Sequence, residues 1–171
     1  MIKKFKIFVI LFLFLFFNTN LYSAEQNKEL LKPGWSFKGF FGKFDRSSLQ
    51  RGYQVYTEVC AACHSLNYLS YRNLSEKGGP EFSEEQVKII ASQFILLDGP
   101  NSEGEMFERT ARPSDKFVSP YPNKEAATAA NGGAYPPDMS VLVKARKGGA
   151  DYIYSVLMGY DEAPPGYDLD D

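Results

Sequence analysis

The pentapeptide Cys60-Ala61-Ala62-Cys63-His64 contains both cysteines and the only histidine of this 171-residue chain. Its C-x-x-C-H spacing is the attachment signature of c-type haem. The two thiols can each add to a vinyl group on the same edge of the porphyrin, and the residue that follows can offer a ring nitrogen to the iron. We therefore predict one covalently bound haem c, with Cys60 and Cys63 as thioether links and His64 as an axial ligand of the metal.

The cysteine pair has other interpretations. A C-x-x-C pair also occurs as a disulfide or in a thioredoxin-like thiol-disulfide oxidoreductase, but that site needs a strand-helix-strand frame, and the residues before Cys60 have a helical period. A structural zinc site needs four protein ligands, more than one cysteine pair and one histidine supply. Because a sulfur held in a thioether cannot attack a substrate, we predict no substrate-transforming site in this chain.

The first 24 residues have the pattern of a secretory signal peptide. Three lysines precede an unbroken apolar run at positions 7–17, and small residues follow at Ser23 and Ala24. This run is shorter than the roughly 20 residues that a helix needs to cross a hydrocarbon core. We therefore expect export from the bacterial cytoplasm, cleavage near Ala24, and one mature domain over residues 25–171.

The mature chain is expected to be acidic. Removing the three lysines of the signal changes the formal net charge from −2 to −5, because that segment holds no acidic residue. This charge argues against nucleic-acid binding and favours a basic protein partner. Acidic side chains that could steer such a partner are Glu84, Glu85, Asp161 and Glu162.

Hydrophobic periodicity predicts five helices and no regular strand. The first would begin at a capping box formed by Ser47 and Gln50 and carry its apolar stripe to the cysteines. The other four are expected after the capping residues Ser83, Asn123, Asp138 and Asp151. An arm rich in aromatic residues precedes the first helix, and the longest loop is predicted at residues 97–122. The fold class is therefore mostly α with long loops.

An iron that carries electrons without binding small molecules needs a sixth ligand, and a methionine thioether is a common choice. The mature chain offers Met106, Met139 and Met158. Met139 and Met158 fall on predicted short helices, where methionine more often fills the core. Met106 lies among charged residues in a polar loop, and spacing alone selects none of the three.

From Trp35 to Tyr160 the sequence resembles the cytochrome c1 family, the haem subunits of the quinol-oxidising cytochrome bc1 complex. Segments in a fixed order carry the resemblance: RGYQVY at 51–56, YRNL at 71–74, DGP at 98–100, GEMF at 104–107, PYPN at 120–123, AANGGA at 129–134, PPD at 136–138, and AR, GG and DY between 145 and 152. A string of this kind is far more specific than the haem motif alone.

The resemblance implies a cytochrome c-like haem domain on the periplasmic side of the bacterial inner membrane. Such a domain takes electrons from the Rieske iron-sulfur protein, passes them to a soluble cytochrome c, and assembles with cytochrome b. The resemblance also implies that Arg146 and Tyr152 lie next to the haem propionates, where a guanidinium and a phenol can both donate to a carboxylate.

The C-terminus departs from the family pattern. Family members place the methionine ligand beyond the stretch that corresponds to Gly159–Glu162, and they end with a membrane-anchoring helix. Because the sequence stops at Asp171, we expect both features to be missing from this chain, as in a fragment or a truncated product. The alternative function is that of a free-standing soluble c-type cytochrome of the periplasm.

Overall fold

The computed structural model describes residues 29–161, in which short α-helices and one β-hairpin are connected by long loops. The α-helices are α1 (Arg46–Glu58), α2 (Glu84–Ser92), α3 (Lys124–Ala130), α4 (Leu142–Ala145) and α5 (Gly149–Met158). Two 3-10 helices span Cys60–Ala62 and Tyr71–Leu74. The prediction of a mostly α fold with long loops is confirmed. The predicted signal peptide and Glu162 lie outside the described residues.

Two helices begin where their capping residues predict. At α2 the Ser83 hydroxyl accepts from the Gln86 amide at 3.2 Å, and the Gln86 side chain accepts from the Ser83 amide at 2.9 Å. This is the reciprocal capping box expected from the sequence. At α3 the Asn123 side chain accepts from the Ala126 amide at 2.8 Å. In both cases a short polar side chain satisfies an amide that the first turn leaves without a partner.

The first helix differs from its prediction at both ends. Its cap is Asp45, whose carboxylate accepts from the Ser48 amide at 2.6 Å, and Ser47 lies inside the helix. A carboxylate is favoured at this position because it also interacts with the positive end of the helix dipole. The helix ends at Glu58 because Val59 leaves the helical region, with φ −124° and ψ −61°. The cysteines therefore lie in a separate 3-10 turn.

Asp138 and Asp151 do not cap the fourth and fifth helices, contrary to expectation. Helix α4 follows Val141, and α5 follows Gly148, which adopts a left-handed φ of +93°. Both carboxylates instead accept hydrogen bonds from residues distant in the sequence. A carboxylate that accepts hydrogen bonds from distant donors has fewer lone pairs left for the amides of a neighbouring helix start, so the tertiary contacts replace the cap.

Most of the β-hairpin lies in the stretch at residues 97–122 that was predicted to be loop, and its first strand begins two residues before that stretch. Strand β1 (Ile95–Asp98) pairs antiparallel with β2 (Phe107–Thr110), in a register that sets Ile95 opposite Thr110 and Asp98 opposite Phe107. The first strand reads Ile-Leu-Leu-Asp, which has no strict alternation of apolar and polar residues. The period that identifies a half-buried strand was therefore not present in the sequence.

The core of the described region is small and aromatic. Its centre is Tyr71, which has no exposed surface and stacks on Phe117 with ring centroids 4.5 Å apart. The other buried apolar residues are Tyr56, Leu74, Val87, Ala91, Ala111 and Ala127. The loop that carries Phe117 is tied to the segment just before the second 3-10 helix by the Phe117 amide, which donates to the Leu69 carbonyl at 3.1 Å. Within residues 29–161 no helix is long and apolar enough to span a bilayer.

An ion cluster holds the hairpin to the segment that follows it. Arg109 donates two hydrogen bonds to the Asp115 carboxylate, at 2.7 and 3.0 Å, and a third to Asp98. Both Arg109 and Asp115 have side chains that are more than four-fifths buried. The Arg109 hydrogen bonds are the main cause that lowers the pKa of Asp115 to about 2.

Acid is therefore expected to weaken the fold through Asp115. Its stabilising effect is fully present above the unfolded pKa near 3.8 and is lost as the pH falls through about 2. At neutral pH, Asp115→Asn should lower the free energy of unfolding by about 2 kcal/mol. Denaturant titrations of both proteins at pH 7, 4 and 2 would check this. A difference that stays constant from pH 7 to pH 2 would show that the carboxylate charge is not the cause.

Candidate functional site

The Cys60–His64 pentapeptide is wound into a tight turn directly after α1. The Cys63 and His64 amides both donate to the Cys60 carbonyl, at 3.1 and 2.8 Å. The Tyr56 hydroxyl, two residues before the end of α1, donates to the His64 carbonyl at 3.1 Å. Burial is the main cause that raises the pKa of Tyr56 to about 12, so its phenol remains a donor at neutral pH. Helix α1 thus fixes the turn that presents the histidine.

The His64 ring is oriented by a hydrogen bond to a residue 73 positions later. Its Nδ1 lies 2.8 Å from the Pro137 carbonyl oxygen. Because a carbonyl can only accept, Nδ1 must carry the ring proton in the neutral imidazole, which leaves Nε2 with a free lone pair. Histidines that ligate metals are typically held in this way, through the nitrogen that does not face the metal. The ring is therefore suited to ligate a metal ion through Nε2.

Asp138 holds the two segments of this site together. Its carboxylate accepts from the Ser65 hydroxyl and the Asn67 amide, both at 2.8 Å, and from the Ser140 amide at 2.9 Å. Partial burial alone would raise the pKa of Asp138, but these hydrogen bonds together lower it below its ordinary value. The carboxylate is thus ionised at neutral pH. It fixes the chain on either side of the contact between His64 and Pro137.

Sequence reasoning assigned Asp138 only a capping role and gave Pro137 no role at all. The PPD segment at 136–138 was visible only as part of the family resemblance. A backbone carbonyl carries no side-chain signal, so no spacing rule could have identified this partner of His64.

Both cysteine thiols are free and half-buried, so the pair does not form a disulfide. Cys63 lines a cavity of about 250 Å³ together with Tyr121, Lys124 and Tyr135. Across residues 29–161 no group of three or more His, Cys, Asp and Glu side chains could hold a metal ion. A metal at His64 would therefore need further ligands from another source, and the nitrogens of a porphyrin are such ligands. This donor set fits the predicted haem.

Arg146 and Tyr152 have donor groups that are available for a ligand. Arg146 follows α4 and its side chain is exposed, whereas Tyr152 lies in the first turn of α5 and is half-buried. Neither side chain has a hydrogen-bond partner among the described residues. Tyr152 also lines an apolar cavity of about 420 Å³ with Leu30 and Val156.

The three methionines differ in their environments. Met139 packs against the aromatic core, and its amide donates to the Ser65 carbonyl at 2.9 Å. Met158 was expected to fill the core, but 60 % of it is exposed at the end of α5 because that face has no packing partner in the described region. Met106 is 53 % exposed beside the hairpin.

Sequence comparisons match this chain to one family and to several relatives of similar sequence. A model of the Cytochrome C1 family matches residues 35–171. Cytochrome c1 of Rhodospirillum rubrum is 49 % identical, over 83 % of this chain and 51 % of its own length. The mitochondrial cytochrome c1 heme protein of Saccharomyces cerevisiae is 50 % identical, over 84 % and 45 %. Cytochrome b/c1 of Bradyrhizobium diazoefficiens is 48 % identical, over 85 % and 24 %. The chain spans about half the length of the first two relatives and about a quarter of the third.

Proposed function

The chain belongs to the cytochrome c1 family, and on that premise we propose that it is the haem c electron-transfer subunit of a quinol:cytochrome c oxidoreductase, the bc1 complex. The observation that carries this proposal is the hydrogen bond between His64 Nδ1 and the Pro137 carbonyl. It leaves Nε2 of a histidine directly after two free thiols ready for the iron of a haem. Cys60 and Cys63 would form the thioether links, and His64 would be the axial ligand.

The bound haem would supply a redox centre that gains and loses one electron without any bond of a substrate being made or broken. The protein then sets the reduction potential of the haem, the distance from the haem to the redox centre of each partner, and the surface on which the partner docks. His64, oriented by its hydrogen bond to the Pro137 carbonyl, would supply a nitrogen ligand to the iron and so help to set the reduction potential. Apolar side chains around the ring would lower the local dielectric constant. The small aromatic core of the described region suits a domain that is completed by a large apolar cofactor.

The partners and the location follow from the family. Residues 1–24 would direct export and be removed, and residues 25–171 would form the haem domain on the periplasmic side of the bacterial inner membrane. There the haem would receive electrons from the Rieske iron-sulfur protein and pass them to a soluble cytochrome c, with cytochrome b as the neighbouring subunit.

Electron transfer to a basic soluble cytochrome c is expected to slow as salt is added. Glu84 and Glu85 lie exposed in the first turn of α2, where they can attract a positively charged partner. Glu84→Gln with Glu85→Gln should lower the second-order rate constant roughly threefold to tenfold at low ionic strength and leave it unchanged in high salt. Stopped-flow oxidation of the reduced protein by ferricytochrome c measures this.

A matched control removes the same charge elsewhere. Glu103 and Glu105 are exposed beside the hairpin, so Glu103→Gln with Glu105→Gln changes the net charge by the same amount. A smaller effect of this control would identify α2 as part of the docking surface. Rates that do not depend on ionic strength would contradict electrostatic steering.

We propose further that Arg146 and Tyr152 donate to the haem propionates, since neither donor has a partner among the described residues. A positive charge beside the porphyrin stabilises the reduced haem relative to the oxidised haem. Arg146→Gln should therefore lower the reduction potential by about 10–40 mV, the equivalent of the ~0.2–1 kcal/mol of a partly exposed ion pair. Potentiometric titration measures this, with Lys147→Gln as the neighbouring control. An equal shift in both variants would show that only the net charge matters.

A further inference from the structure

Two adjacent phenylalanines protrude from the N-terminal arm. Phe40 is 95 % exposed and Phe41 is 88 % exposed, and their rings contact each other edge to face with centroids 5.0 Å apart. Single exposed apolar side chains are common on protein surfaces and need no explanation. A pair of large rings that meet each other but almost nothing else is different, because solvent exposure of this apolar area is unfavourable.

The loop that carries these rings, residues 36–43, is closed by its own hydrogen bonds. The Lys43 amide donates to the Ser36 carbonyl at 3.0 Å, and the Ser36 hydroxyl donates to the Lys43 carbonyl at 2.9 Å. Gly42 is required in this loop, since a Cβ there would lie 2.3 Å from the Phe37 carbonyl oxygen. Phe37 packs on Phe44 at 4.7 Å beneath the tip. The aromatic tip is therefore held in one conformation.

The loop is also fixed to the body of the protein. Trp35, just before the loop, donates from Nε1 to the Asp151 carboxylate at 2.7 Å and meets the Tyr154 ring edge to face at 5.5 Å. Lys38 pairs with the second oxygen of the same carboxylate. These contacts with α5 hold the tip at a defined place on the surface. The two rings are therefore exposed because the fold positions them there.

The charge of this region is opposite to that of the rest of the chain. Residues 29–46 contain four basic side chains and two acidic side chains, whereas the chain as a whole has more acidic than basic residues. Three of these cations are engaged in ion pairs: Lys32 with Glu29, Lys38 with Asp151, and Arg46 with Glu81. Lys43, next to the aromatic tip, is exposed and has no side-chain partner among the described residues. A basic, aromatic tip thus projects from an acidic protein.

We propose that loop 36–43 inserts Phe40 and Phe41 into the interface of an anionic membrane, with Lys43 contacting the lipid headgroups. Aromatic rings beside lysines are favoured at the boundary of headgroups and acyl chains, where the rings leave water and the cations meet negative charge. A typical protein interface needs about 800 Å² per partner, more than the ~150–250 Å² that each protruding ring can bury. This inference goes beyond the proposed function and does not depend on haem.

The test is co-sedimentation of the haem-loaded chain with lipid vesicles. The protein is purified after export, shown by its mass to lack residues 1–24, and mixed with vesicles of phosphatidylcholine with or without phosphatidylglycerol. We expect binding to the anionic vesicles that Phe40→Ser with Phe41→Ser weakens at least tenfold and Lys43→Gln weakens about fivefold. The matched control, Ile89→Ser with Leu97→Ser, alters side chains that are 62 % and 63 % exposed elsewhere and should leave binding unchanged.

Several outcomes would overturn the proposal. They are an absence of binding by the wild type, equal binding of the wild type to both kinds of vesicle, and binding to anionic vesicles by Phe40→Ser with Phe41→Ser that equals that of the wild type. If vesicles fail to bind while the phenylalanine variant loses co-purification with cytochrome b, the loop is a protein contact and the membrane assignment is wrong. Haem content is measured on the same samples, so a failure of haem attachment would be seen separately and would count only against the proposed function.

Discussion

Replacing both Cys60 and Cys63 with serine is expected to abolish covalent haem attachment completely. A thioether link requires a thiol, and a serine hydroxyl does not replace it in the addition to a vinyl group. The two thiols do not form a disulfide, and they flank the turn that presents His64, with Cys60 at its start and Cys63 at its end. Haem staining on a denaturing gel and the mass of the denatured chain would measure the effect. The double variant should show no haem signal and only the mass of the polypeptide.

The single variants are the controls for this experiment. Cys60→Ser and Cys63→Ser each retain one thiol, so each can keep one covalent link and part of the haem signal. Disulfide or thiol-disulfide chemistry predicts a different result, because neither the wild type nor any of the variants would then carry covalent haem. Haem that survives denaturation in the double variant would show that another residue attaches it and would contradict the assignment of these sulfurs.

Replacing Tyr71 with alanine is expected to have the largest effect on stability. Its ring has no exposed surface, stacks on Phe117 at 4.5 Å and packs against Phe94 at 5.4 Å. Removing a large buried aromatic ring loses its transfer free energy and leaves a cavity, which together cost about 3–5 kcal/mol. That is a large part of the total stability of an ordinary domain, about 5–15 kcal/mol. Denaturant unfolding of the haem-loaded protein would measure the difference.

Tyr71→Phe separates the ring from its hydroxyl. The Tyr71 oxygen accepts a long hydrogen bond of 3.4 Å from the Val118 amide, so its loss should cost at most about 1 kcal/mol. If phenylalanine proved as destabilising as alanine, the hydroxyl rather than the packed ring would be the important group. A wild-type midpoint in Tyr71→Ala would contradict the description of Tyr71 as the centre of the core.

Local signals in the sequence predicted those helices whose start depends on neighbouring residues. Ser83 with Gln86 formed the expected capping box, and Asn123 capped the expected helix, because both motifs act within one turn. Ser47 failed as a cap because Asp45, two residues earlier, has a carboxylate that the helix dipole favours. The Cys60–His64 motif is also local, and its residues lie in one tight turn in which the Cys63 and His64 amides donate to the Cys60 carbonyl.

Features that depend on distant partners could not be predicted. Asp138 and Asp151 are good capping residues by type, but tertiary contacts with Ser65 and Trp35 use their carboxylates. The orientation of His64 rests on the carbonyl of Pro137, 73 residues away, and a carbonyl is present at every position of a chain. The hairpin was missed because its strands are four residues long and its first strand does not alternate. In each case the interaction that determines the structure joins residues that local sequence patterns do not connect.

The most direct test of the central claim is the spectrum and mass of the purified, exported protein. We predict a pyridine haemochrome of the c type, one haem per chain that remains attached after denaturation and acid extraction, and no thiol that reacts with a titrant, since both sulfurs are bound to the porphyrin. A colourless protein that has the bare polypeptide mass and two reactive thiols would contradict the account.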